Sequence, residues 1–103
     1  MANRVLLKTI KSLTKNKVLF WQKLENSPEV QGELIALFPL LANNIDIKNS
    51  YYAILNNISI VLCCSAVREY SLYKINNSDS LEISGKYYKN ELDSLLIEIK
   101  GGV

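Results

Sequence analysis

The chain has 103 residues, with 12 basic side chains, 10 acidic ones and no histidine, a length that holds one hydrophobic core and no separate catalytic lobe. Hydrophobic residues make up 49% and charged residues 21%, with 2 prolines and 4 glycines, so a disordered tail is excluded and residues 1–103 read as a single domain. The missing histidine removes Ser-His and Cys-His nucleophile pairs, imidazole bases and imidazole metal ligands together, and the chain reads as a non-enzyme with no cofactor and no metal.

Between Arg4 and Asn26 the apolar residues Leu6, Ile10, Leu13, Phe20, Trp21 and Leu24 recur near helical spacing, with a break available near Asn16. Arg4, Lys8, Lys11 and Lys15 gather on another face, and lysines this frequent leave no uninterrupted apolar run for a secretion signal. Ser27-Pro28-Glu29 predicts a helix start, combining a hydroxyl cap, a proline where no N–H is needed and an acid at the positive end of the helix dipole. Val30, Leu34, Leu37 and Leu41 continue a helical stripe that Pro39 should end or kink at about Phe38. Asn43 to Ser50 reads as a polar connection.

From Tyr51 to Val67 the chain is apolar nearly all round, as in a buried central helix. Its longest apolar run, Ile60 to Cys64, is too short to cross a bilayer. A strand at Ile58 to Cys64 is the rival, but Ala53, Leu55, Leu62 and Ala66 suit a helix, and the segment is too long for one ordinary strand. Asn76 to Ser80 reads as a loop, with Asp79 and Glu82 as an acidic capping box; the alternative is a hairpin of Leu72–Ile75 against Leu81–Ile83. Tyr88, Leu92, Leu95, Leu96 and Ile99 predict a last helix, stopped by Gly101 and Gly102. The expected fold is all-α, a single compact bundle of four or five helices.

Charge is unevenly placed. Residues 1–26 carry 6 basic and 1 acidic side chains, and residues 27–103 carry 6 basic and 9 acidic. The basic row Arg4, Lys8, Lys11 and Lys15 is a candidate contact for nucleic-acid phosphates. Tyr87, Glu91, Ser94 and Glu98 share a face of the last helix and are the candidate surface for a basic protein partner. Tyrosines come as Tyr51-Tyr52, Tyr70 with Tyr73, and Tyr87-Tyr88, so one of each adjacent pair is expected near the surface, where tyrosine gives large contact area at small entropic cost.

Cys63 and Cys64 are adjacent, which staples no loop and lacks the further ligands of a metal site; they read as buried thiols of a cytoplasmic protein. Abundant Asn, Lys, Ile and Leu suggest the AT-rich coding of horizontally acquired bacterial genes. Together these features point to a small cytoplasmic protein that neutralises a partner by stoichiometric binding, such as a toxin immunity protein or antitoxin, with a nuclease toxin as a candidate target. A nucleic-acid-binding accessory protein using the first helix is the alternative, and no membrane insertion is expected.

Overall fold

The computed structural model describes residues 2–76 and 79–102. Its elements in chain order are helix α1 (Ala2–Lys15), a short strand β1 (Gln22–Lys23), helix α2 (Pro28–Leu37), strands β2 (Tyr51–Leu55), β3 (Ile58–Cys64), β4 (Tyr70–Asn76) and β5 (Asp79–Ile83), and helix α3 (Lys89–Gly102). Single 3-10 turns occupy Leu24–Asn26, Pro39–Asn43 and Ile47–Asn49. The five strands form one antiparallel sheet in the order β1-β2-β3-β4-β5. The all-α bundle of four or five helices is therefore overturned, and the molecule is a mixed α/β domain with helices on both faces of a meander.

The correction begins at Tyr51–Val67. Asn56 and Asn57 both take positive φ, 52° and 66°, the backbone that a two-residue hairpin turn requires and that Asn tolerates better than most residues. The segment folds there into β2 and β3, with Tyr51 paired to Leu62 and Leu55 to Ile58. Strand β3 has sheet neighbours on both edges and a covered surface on both faces, and it is buried from Ser59 to Cys64. A strand in that position has no polar side to display, so its sequence loses the alternation that marks a half-exposed strand.

The second correction lies at β4 and β5, where Leu72 pairs with Ile83 and Lys74 with Leu81. The hairpin alternative holds and the Asp79–Glu82 capping box does not, because both residues lie in β5. Asn76 ends β4 and Asp79 and Ser80 open β5; residues 77 and 78 of the expected loop lie outside the described residues.

One face of the sheet carries α1 and α3. Leu7 and Ile10 of α1 and Leu92, Leu95 and Ile99 of α3 bury against Tyr51, Ala53, Ile60, Leu62, Leu72 and Ile83. The opposite face carries α2, whose Val30 and Leu34 join Leu24 against Val61, Cys63, Tyr73 and Ile75. Strand alternation divides adjacent residues between these layers. The expected boundaries of α2 hold: Ser27 Oγ accepts from the Val30 N–H at 3.3 Å, Pro28 is the first helical residue, and the helix stops before Phe38-Pro39. The last helix also forms, but it runs through Gly101 and Gly102 instead of stopping before them. In the loop before it, a Cβ at Gly85 would stand 1.8 Å from the Tyr70 carbonyl oxygen, so only glycine lets this loop lie so close to β4.

Candidate functional site

Helices α1 and α3 lie side by side, and their contact brings together the two rows of charge that the sequence places far apart. Arg4 Nε is 3.7 Å from Glu91 Oε1, and the Arg4 guanidinium sits 5.8 Å from the centre of the Tyr88 ring. Farther along, Lys11 Nζ donates to Ser94 Oγ at 2.5 Å. Arg4 meets the start of α3 and Lys11 its middle, so the helices run in the same direction, and the next members of the two rows are Lys15 and Glu98. Between them is a cleft of about 270 Å³ lined by Leu7, Lys8, Lys11, Asn90, Glu91 and Ser94.

The predicted residues fall on this surface with one displacement. Arg4, Lys8 and Lys15 are exposed, and Lys11, Glu91, Ser94 and Glu98 are half-buried. Tyr87 lies in the turn before α3 and not on the helix; the residue is 70% exposed, with Lys86 Nζ 5.5 Å from the centre of its ring. Val5 of α1 and Ile97 of α3 do not line the cleft, but at 65% and 70% exposure they are apolar surface that the charge pattern did not signal. An ion pair this exposed contributes little stability, yet it neutralises part of the basic row. A phosphate backbone approaching α1 would meet Glu91 and Glu98 alongside the lysines.

Tyrosine pairs resolve as strand and turn geometry dictates. Tyr51 is buried and Tyr52 half-buried on the opposite face, where the Tyr52 hydroxyl donates to Gln22 Oε1 at 3.1 Å. The Tyr73 hydroxyl donates to Glu82 Oε2 at 2.7 Å, and burial together with that carboxylate raises its pKa. Burial pushes the Cys63 thiol up to about 12 and also raises that of Cys64. A thiol so disfavoured as thiolate is a poor nucleophile and a poor metal ligand, and among the described residues no group of three or more Cys, Asp or Glu converges to hold a metal. Among them, too, no helix is long and apolar enough to cross a membrane.

Two features escaped the sequence reading. Phe20 belongs to the predicted apolar stripe of the first helix, but α1 ends at Lys15 and Phe20 is 73% exposed. A larger cleft, about 490 Å³, opens beside α2 between Glu33, Ala36 and Leu37 on one side and Ile54, Ser59 and Ile75 on the other. The signal for Phe20 was the consecutive Leu19-Phe20-Trp21, which a helix would spread around its circumference and an extended chain turns alternately in and out. Comparison of the chain with protein families, with curated proteins and with solved structures finds no match.

Proposed function

We propose that this protein acts by binding and not by catalysis, forming a stoichiometric complex with a protein partner in the manner of a toxin immunity protein or antitoxin. The observation that carries this reading is the α1–α3 surface, where the basic row of one helix faces the acidic row of the other across an apolar-floored cleft. Such a surface offers donors, acceptors and both signs of charge at fixed positions, which suits the mixed surface of another protein. It suits a uniformly anionic phosphate backbone poorly, which argues against the nucleic-acid alternative through Arg4, Lys8, Lys11 and Lys15. Tyr87 and Ile97 supply the rigid, exposed apolar contacts that commonly anchor interfaces. Glu91 and Ser94 serve partly within the molecule, through Arg4 and Lys11, so Tyr87 and Glu98 are the residues freest to meet a partner.

The test uses the product of the adjacent reading frame. Titration calorimetry should give a saturable complex, and Tyr87→Ala combined with Glu98→Lys should weaken it at least about tenfold while the melting temperature stays near that of the parent. Unchanged affinity removes this surface, and no complex at all removes the reading. The nucleic-acid alternative predicts retardation of DNA or RNA at low salt, where we expect none.

A further inference from the structure

The segment between α1 and β1 holds a large aromatic side chain in solvent by rigid means. Helix α1 closes with two hydrogen bonds, Val18 N–H to the Leu13 carbonyl at 2.8 Å and Lys17 N–H to the Thr14 carbonyl at 3.1 Å, around Lys17 in the left-handed region at φ 61°. This is the Schellman arrangement, whose left-handed position is usually glycine because a Cβ is strained there. Beyond it the chain alternates: Leu19 and Trp21 are buried at 3% and 7%, whereas Val18 and Phe20 are exposed at 48% and 73%. The Trp21 indole N–H donates to Thr14 Oγ1 at 2.9 Å, and that hydroxyl donates to the Ile10 carbonyl at 2.8 Å. Gln22 and Lys23 then join the sheet. Phe20 is thus held between two anchored neighbours, and its exposure is not that of a free tail.

Lysines flank this tip. Lys15, Lys17 and Lys23 are all exposed, and the one acid between residues 15 and 26 is Glu25. Lys17 occupies the position that glycine would fill without strain, so the chain carries a charge there at a conformational cost. We propose that the 16–21 loop is a docking point for an anionic bilayer surface, with Phe20 and Val18 entering the headgroup layer and Lys15, Lys17 and Lys23 lying against its phosphates. A pair of exposed apolar side chains flanked along the chain by exposed lysines matches an interfacial anchor. It is too small a contact for a stable protein interface, which needs roughly 800 Å² from each partner. The contact is superficial and shares only Lys15 with the protein-binding surface on α1 and α3.

The experiment is sedimentation of the purified protein with vesicles of phosphatidylcholine and phosphatidylglycerol, with pure phosphatidylcholine vesicles as comparison. Binding is expected only to the anionic vesicles and should weaken with added salt. Phe20→Ala should lower the partition about tenfold, from the apolar area withdrawn. Lys17→Gly is the decisive variant: it relieves the backbone and should keep or raise the melting temperature, yet lower vesicle binding about fivefold, the value of one lysine near an anionic surface. Equal binding to both vesicle types, no binding to either, or unchanged binding of Phe20→Ala would each overturn the proposal, as would loss of affinity for the adjacent gene product on Phe20→Ala with no vesicle binding.

Discussion

The two faces of the sheet are closed to different degrees. On one, two helices of 14 residues each lie together over the strands. On the other, a helix of 10 residues and a 3-10 turn cover the same strands, and the roughly 490 Å³ cleft beside Leu37 and Ile54 is the part left uncovered. Both side-chain layers are dense near β3, so the difference lies at the margin. The doubled layer has a seam between its helices that can display chemistry, whereas the single layer has an opening that admits water to its edge.

Large-to-small substitutions test that contrast most strongly. Leu95, 1% exposed in the doubled layer, should cost about 3–5 kcal/mol when changed to Ala, because helices on one side and strands on the other resist collapse into the cavity. Leu34 is fully buried under α2, but its helix lines the cleft and can settle inward, so Leu34→Ala should cost less, about 2–3 kcal/mol. Urea melts of the two variants decide; equal losses would show that the faces are equally constrained.

Alkaline pH provides a gentler probe. Burial raises the Cys63 thiol from 9.0 to about 12 in the folded chain. The folded value lies above the unfolded one, so the thiol's contribution is complete below about pH 9 and is lost as pH rises toward 12. Stability should therefore fall across that window, by at most about 1.4 kcal/mol per pH unit from this group. Cys63→Ala should flatten the slope, and an unchanged slope would assign the loss to Cys64 and the tyrosines whose pKa values burial also raises. Smaller still, Ser27→Ala removes the cap of α2 and should cost about 0.5–2 kcal/mol. Hydrogen exchange in that variant should rise in α2 before it rises in α1 or α3, and a uniform rise would mean that the two layers open together.

What could be read from the sequence was local. The α1 periodicity, the Ser27-Pro28 start, the Pro39 stop and the last helix each depend on neighbours within a turn or two, and each appears where expected apart from the ends of α1 and α3. The sheet was hidden because its centre is buried from both sides: Ile58 to Cys64 shows neither a period of two nor a polar face. The objection that Tyr51–Val67 is too long for one strand dissolves once Asn56-Asn57 is seen as a turn between two strands. Of the candidate surface, the residue types were legible and their meeting was not. No spacing along the chain announces that Arg4 reaches Glu91 or that Lys11 reaches Ser94.

That meeting also orders the folding reaction. Each neighbouring strand pair of β2 to β5 closes over a short connection, so the meander forms at little loop-closure cost. The contact of Lys11 with Ser94 spans 83 positions and must wait until the intervening chain is ordered. Substitutions along the α1–α3 seam are accordingly expected to speed unfolding while leaving the folding rate nearly unchanged, and substitutions in the β3–β4 hairpin to do the reverse. During synthesis the lysine-rich α1 leaves the ribosome before α3 and must wait for it, so its seam-facing side stays unpartnered while the sheet forms.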